Sequence, residues 1–133
     1  MMGPMVKAVL VVEDDPSTLS GYVEYLTDAG FEATGFADPS RALAVAFTAP
    51  PAAVVTDITM PGMDGFALAK ALHQDTRTRH VPVIGLTANW YAEVKTRAAA
   101  VAMRTVLLKP CSPAHLVAEL ERVLLPVPVR DNQ

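Results

Sequence analysis

The stretch VKAVLVVEDDP, residues 6–16, carries the pattern from which the architecture of this chain can be read. Its first seven residues form a nearly continuous apolar run rich in β-branched side chains, which is typical of a strand buried on both faces of a parallel sheet. The run stops at three carboxylates, of which Asp15 is placed to cap a helix that begins with Pro16. A helix that ends at Gly30 is then predicted by apolar residues at helical spacing, namely Leu19, Tyr22, Val23 and Leu26.

The same strand-loop-helix unit recurs four more times along the chain. Further strands are predicted over 31–36, 53–56, 81–86 and 105–108, and the fourth helix over about 91–102. Asp38, Asp64 and Ser112 are predicted to cap the second, third and fifth helices. Five strands alternating with five helices predict right-handed crossovers and a parallel five-stranded sheet covered on both faces, which is the three-layer, doubly wound α/β class.

Length and composition indicate one domain and exclude several classes of partner. The 133 residues are 51% hydrophobic and 19% charged, which suits a single buried core, with 1–5 as an N-terminal tail, 6–125 as the domain and 126–133 as a C-terminal tail or the start of a linker. The net charge of -3 contains no long run of one sign, so we expect neither nucleic acid nor membrane as a partner. A single cysteine, Cys111, and the lack of a long apolar segment predict a cytoplasmic protein.

Polar residues follow four of the five predicted strands. Glu13 and Asp14 follow the first strand, Asp57 the third, Thr87 the fourth and Lys109 the fifth. The carboxyl ends of parallel strands meet at one edge of a sheet, so these side chains should converge. Three carboxylates repel one another unless a cation joins them, and an all-oxygen site suits Mg²⁺. A lysine and a hydroxyl beside that ion would serve the oxygens of a phosphoryl group.

These positions also carry a family resemblance. The chain resembles the receiver domain of two-component response regulators over 6–125, through Val11-Val12-Glu13-Asp14, Asp57 with Met60-Pro61-Gly62-Met63-Asp64-Gly65, Thr87-Ala88, and Lys109-Pro110. Each motif is weak alone, but all four in order at strand ends are specific. The resemblance implies a CheY-like, flavodoxin-like (βα)5 fold with strand order 2-1-3-4-5.

The resemblance further implies a role for each matching residue. Asp57 would be the phosphoacceptor, and Lys109 would bind a phosphoryl oxygen. Mg²⁺ would be held by Asp57, by Asp14 directly, by Glu13 mainly through a water, and by the backbone carbonyl of Thr59. Thr87 would move toward the attached phosphoryl group, and the Lys109-Pro110 peptide bond would be cis. Thr59 and Asn89 would tune the lifetime of the acyl phosphate.

The resemblance implies partners as well. The phosphoryl donor would be a phosphohistidine on a sensor histidine kinase or a histidine phosphotransfer protein, and the output would be an altered surface that controls an unknown downstream protein or output domain. Such a signalling domain is not a turnover enzyme, because it catalyses only its own phosphoryl transfer and autodephosphorylation.

Three departures from the family pattern affect the expected output surface. Val106 stands three residues before the lysine, where receivers commonly carry an aromatic ring that rotates with the switch. The segment 102–105 replaces the usual Gly-Ala pair, and Cys111 replaces the aromatic residue that often follows Lys-Pro. These departures concern the dimer face and the output surface, and they leave the phosphorylation residues intact.

Other functions remain open on the sequence alone. One is a phosphohydrolase with an aspartate nucleophile, although such enzymes need a second aspartate where this chain has Thr59. Another is a constitutive receiver-like interaction module that has lost its switch. A flavodoxin is a third and weaker alternative, because no Ser/Thr/Gly-rich phosphate loop follows the first strand.

Overall fold

A computed structural model describes residues 6–60, 62–89 and 91–125. The two predicted tails, 1–5 and 126–133, lie outside the described residues, as do Pro61 and Trp90. Five strands and five helices alternate over the described ranges. The strands are β1 (Ala8–Val12), β2 (Glu32–Phe36), β3 (Ala53–Asp57), β4 (Val83–Thr87) and β5 (Thr105–Leu108); the helices are α1 (Pro16–Asp28), α2 (Pro39–Thr48), α3 (Gly65–Gln74), α4 (Ala92–Ala100) and α5 (Pro113–Leu124).

The strands form one parallel sheet in the order β2-β1-β3-β4-β5, which confirms the predicted doubly wound fold. The pairing register of this sheet aligns the carboxyl ends of the strands that carry the predicted site residues. Val12 pairs with Thr56, so Glu13 and Asp57 follow side by side. Thr87 pairs with Leu108, which sets Lys109 immediately beyond it. The carboxyl ends of four strands therefore meet at one edge.

The core has two halves because successive residues of a strand point to opposite faces. Val9 and Val11 of β1 pack with α1 and α5, while Leu10 and Val12 pack with α2 and α3. Strand β3 is buried throughout its length. A sheet covered on both faces gives the three layers that the sequence predicts. None of the helices in the described part of the chain is long and apolar enough to cross a membrane.

The helices begin as predicted but do not all end as predicted. Each predicted cap accepts a backbone N–H of its first turn: Asp15 from Thr18, Asp38 from Ser40, Asp64 from Ala67 and Ser112 from His115. Helix α4 ends at Ala100 rather than near 102, because Ala102 adopts a left-handed conformation with φ 61°. Helix α1 ends at Asp28, two residues before Gly30, whose φ is 101°. Strand β4 begins at Val83 rather than 81, after a proline that cannot donate a ladder hydrogen bond.

Candidate functional site

The side chains at the carboxyl edge of the sheet converge on one pocket. Glu13 and Asp14 follow β1, Asp57 is the last residue of β3, and Lys109 follows β5. One carboxylate oxygen from each of Glu13, Asp14 and Asp57 lies within 4.8 Å of the others. Glu13 and Asp57 are only 1% and 6% exposed, whereas Asp14 faces solvent. The pocket thus has two buried carboxylates at its base and a third at its mouth.

The ammonium group of Lys109 lies among these carboxylates and partly balances their charge. Its Nζ lies 2.9 Å from Glu13 Oε1 and 3.4 Å from Asp57 Oδ2. The other oxygen of Glu13, Oε2, accepts the backbone N–H of Asp15 at 3.0 Å. The peptide bond between Lys109 and Pro110 is cis. Glu13 therefore has both oxygens engaged, and it holds the lysine beside Asp57.

The charges shift the proton affinities of the two central groups. Burial raises the pKa of Asp57, and the neighbouring Glu13 and Asp14 raise it further against the opposing effect of Lys109. Burial opposes the charge on Lys109, but its hydrogen bond to Glu13 and the charges of Asp57 and Glu13 outweigh burial and raise its pKa. Lys109 thus stays an ammonium at neutral pH, and the carboxylate form of Asp57 gains from an additional cation.

The donor set fits a magnesium ion. Three carboxylates and one ammonium leave a net charge of -2, which a divalent cation balances. The clustered donors are all oxygens, with neither the thiolates nor the imidazoles that zinc prefers. The exposed carboxylate of Asp14 leaves one side of the cluster open to water and to a phosphoryl group, which Mg²⁺ typically keeps as ligands.

Thr87 lies next to this pocket with its hydroxyl engaged by the backbone. It is 3% exposed, its Oγ1 donates to the carbonyl of Asn89 at 3.0 Å, and the same oxygen accepts the Asn89 N–H at 3.2 Å. Asn89 and Thr59 themselves are exposed. Val106 is half-buried and packs against the core cluster that contains Ile58 and Met103.

Two contacts at the site were missed by sequence reasoning. The hydroxyl of Tyr22 in α1 donates to the carbonyl of Cys111 at 2.8 Å, just after the segment that carries Lys109. The sequence offered one signal, because a tyrosine on an apolar helix face needs a partner for its hydroxyl. The second contact is the close approach of Gly65 to β3, where its N–H donates to the Ile58 carbonyl at 2.9 Å.

Comparison with known proteins agrees with this geometry. Residues 9–121 match the family model of the response regulator receiver domain. The chain is 32% identical over 118 residues to the phosphate regulon transcriptional regulatory protein PhoB of Pseudomonas aeruginosa, an alignment covering 89% of this chain and 52% of PhoB. The chain therefore spans about half the length of that relative.

Solved structures show the same similarity. The chemotaxis response regulator CheY4 of Vibrio cholerae superposes with a TM-score of 0.86 at 34% identity, covering 90% of this chain and all of CheY4. The receiver domain of a sensor histidine kinase from Pseudomonas aeruginosa, which has a magnesium ion coordinated in its active-site cleft, superposes with a TM-score of 0.81 at 28% identity, covering 90% of this chain and 98% of that domain. With its fold, its strand-end cluster and its sequence all in agreement, the chain belongs to the response regulator receiver domains of two-component systems.

Proposed function

We propose that Asp57 accepts a phosphoryl group from a phosphohistidine of a sensor histidine kinase or histidine phosphotransfer protein, in a reaction that depends on Mg²⁺. The observation that carries this proposal is the placement of Asp57 between two other carboxylates and the ammonium of Lys109. Asp57 Oδ2 faces Lys109, and among the described residues no hydrogen bond engages Oδ1, which is therefore available as the nucleophile.

The transfer requires one bond to form and one to break. Asp57 Oδ1 attacks the phosphorus in line, the phosphorus–nitrogen bond of the donor breaks, and its electron pair remains on the imidazole. Lys109 is placed to donate to a phosphoryl oxygen, because its Nζ already lies within 3.4 Å of Asp57. Mg²⁺ would be held by Asp14, by Asp57 and by the backbone carbonyl of Thr59, with Glu13 acting mainly through a water, and it would neutralise charge on the carboxylates and the phosphoryl oxygens.

Thr87 is the proposed link between this chemistry and the surface. Its hydroxyl now donates to the backbone of Asn89, and a phosphoryl oxygen on Asp57 would be a stronger, charged acceptor. Transfer of that hydrogen bond would release Asn89 and bias the loop between β4 and α4 toward a second conformation. Val106 has no ring to rotate, so the movement of this loop would carry the response. We propose that Thr59 and Asn89, both exposed, tune how readily water reaches the acyl phosphate.

The partners of the whole protein belong to the same proposal. The domain that performs the reaction spans 6–125. Its target is an unknown downstream protein or output domain. A cytoplasmic location is consistent with its single cysteine. The activity is single-turnover signalling rather than enzymatic turnover of a substrate. Thr59, where an aspartate phosphohydrolase would need its second acid, supports this choice over the hydrolase.

The test is the intact mass of the protein after incubation with acetyl phosphate. With Mg²⁺ the wild-type protein should gain the mass of one phosphoryl group, and with EDTA it should gain none. Asp57→Asn should gain none in either buffer. Asp38→Asn is the matched control, because Asp38 caps α2, does not belong to the carboxylate cluster, and asparagine also caps helices. A gain that survives Asp57→Asn would contradict the proposal, and no gain at all would favour the constitutive module.

A further inference from the structure

The segment from Lys109 to Cys111 is fastened to the fold at two points. The backbone N–H of Lys109 donates to the Thr87 carbonyl at 2.7 Å, which secures the near end. The hydroxyl of Tyr22 donates to the Cys111 carbonyl at 2.8 Å, which secures the far end across 89 positions of sequence. Pro110, between them, has no N–H to donate. Within the part of the chain that the structure describes, the Cys111 carbonyl accepts no other hydrogen bond.

The contact between Tyr22 and Cys111 is buried, so its loss is costly. Tyr22 and Cys111 are 5% and 7% exposed, and both belong to the core cluster shared by α1 and α5. Burial raises the pKa of Tyr22, so the hydroxyl keeps its proton and remains a donor at neutral pH. Removing one partner of a buried hydrogen bond leaves the other unsatisfied, which is unfavourable for a group shielded from water. The Cys111 carbonyl would therefore move to find water.

The fold leaves room for that movement. An open groove of about 550 Å³ lies between α1 and the segment, and its lining includes Gly21, Tyr22, Lys109, Pro110 and Cys111. Side-chain packing therefore does not hold the segment on the side that faces this groove. A carbonyl released from Tyr22 can turn into the groove, and the backbone of Lys109, two residues earlier, would shift with it.

From these contacts we infer that Tyr22 is a positioning residue that acts through Lys109, keeping the ammonium within reach of a phosphoryl group on Asp57. This inference rests on the function proposed for Asp57. Lys109 Nζ spans Glu13 at 2.9 Å and Asp57 at 3.4 Å, so a shift of its backbone by a fraction of an ångström lengthens both contacts. The carboxylates that would hold the metal do not belong to the segment. Tyr22 thus affects recognition of the phosphoryl group, which Lys109 contacts directly, more strongly than it affects the divalent-ion site.

The experiment compares binding of Mg²⁺ alone with binding of beryllofluoride, a phosphoryl mimic, by amide NMR titration. Tyr22→Phe removes one oxygen atom. We expect it to weaken beryllofluoride binding about tenfold, corresponding to about 1.4 kcal/mol, while the affinity for Mg²⁺ alone changes much less. In a Lys109→Ala background the same substitution should have no further effect, because the residue through which it acts is gone.

Two variants control for general destabilisation and for the loss of a hydroxyl. Thr78→Val removes a wholly buried hydroxyl that donates to the Leu72 carbonyl at 2.6 Å, near the amino end of β4. It should lower stability as Tyr22→Phe does, without weakening beryllofluoride binding. Tyr25→Phe removes a hydroxyl from the same helix at a position that is 44% exposed, and should change neither quantity.

The inference is overturned if Tyr22→Phe binds beryllofluoride as tightly as wild type, if it weakens binding equally in the Lys109→Ala background, or if Thr78→Val weakens binding as much. If the wild-type protein binds no beryllofluoride, the proposed function fails, and amide hydrogen exchange of the free protein then decides the inference separately. The Lys109 amide should exchange faster in Tyr22→Phe than in Thr78→Val at matched global stability. Equal exchange would contradict the role of Tyr22.

Discussion

Glu13 illustrates how one residue serves both structure and chemistry. Its Oε1 binds Lys109, its Oε2 accepts the Asp15 N–H, and its side chain is almost completely buried. A buried charge is tolerable only with such partners. Because these contacts also orient Lys109 toward Asp57, the ammonium is held in place before any phosphoryl group arrives. Asp57 has a weaker set of contacts, with Lys109 Nζ at 3.4 Å from its Oδ2.

Asp57→Asn should stabilise the metal-free protein at neutral pH. The pKa of Asp57 is raised in the folded state, chiefly by burial and then by Glu13, so the stability that protonated Asp57 provides is full below the unfolded-state pKa. That stability is lost as the pH rises through the folded-state pKa. Urea unfolding in EDTA should therefore show a gain on the order of 1 kcal/mol at pH 7 that vanishes at acid pH.

The control for this pH effect is a carboxylate shifted in the opposite direction. Hydrogen bonds from the Ser40 hydroxyl and N–H lower the pKa of Asp38, which is fully exposed. Asp38→Asn should therefore give no gain at pH 7. A gain from Asp57→Asn that persisted undiminished at acid pH, or no gain at pH 7, would show that charge burial is not its origin.

At the scale of elements, the site is a consequence of strand register and of where helices begin and end. Val12 opposite Thr56 places Glu13 beside Asp57, and a slip of one residue would turn these side chains to opposite faces. Helix α3 begins against the end of β3, where the Gly65 N–H meets the Ile58 carbonyl. Helix α4 ends where the backbone reverses at Ala102, so that Arg104 can join β4 through the Val83 carbonyl.

Gly65→Ala should damage the junction between β3 and α3. A Cβ at position 65 would lie 2.6 Å from the Asp57 carbonyl oxygen and 2.8 Å from the Ile58 Cα, and both are backbone atoms that cannot move aside cheaply. We expect a loss of about 1–3 kcal/mol in the free energy of unfolding, measured by urea titration. Gly21→Ala is the matched control, because nothing lies within 4 Å of the added Cβ and alanine should stabilise α1 by about 0.5–1 kcal/mol. Unchanged stability of Gly65→Ala would refute the close approach.

Ala102→Gly should stabilise the end of α4. A non-glycine residue in the left-handed region costs about 1–2 kcal/mol, and glycine relieves that strain while losing more backbone entropy on folding. Thermal or urea unfolding should show a net gain of a few tenths to about 1 kcal/mol. Ala99→Gly, one turn earlier on the exposed side of α4, should instead destabilise by about 1 kcal/mol. A destabilising Ala102→Gly would mean that the strain is absent.

At the scale of the whole molecule, the sequence predicted what local patterns encode and missed what only tertiary contact decides. The buried strands and the caps at Asp15, Asp38, Asp64 and Ser112 follow from short apolar runs and side-chain chemistry. The strand order came from the family resemblance rather than from periodicity. The end of α4 differs from the prediction because alanine favours helix locally, and β4 begins two residues later than predicted because Pro82 cannot donate a ladder hydrogen bond.

The candidate site likewise contains residues that the sequence predicts and contacts that it does not. Glu13, Asp14, Asp57 and Lys109 could be grouped from sequence because each stands at a strand end, and parallel strand ends meet. The hydrogen bond from Tyr22 to Cys111 could not be predicted from the sequence, because it joins residues 89 positions apart and depends on how α1 packs against the start of α5. The engagement of the Thr87 hydroxyl by Asn89 likewise depends on the conformation of one loop.

The most direct test of the central claim is to locate the phosphoryl group. Wild-type protein treated with acetyl phosphate and Mg²⁺ is reduced with borohydride, which converts an aspartyl phosphate to homoserine, and its peptides are sequenced by mass spectrometry. The account predicts homoserine at position 57 alone, with Asp14 and Asp64 unmodified. Homoserine at Asp14 or at Asp64, with Asp57 intact, would contradict it.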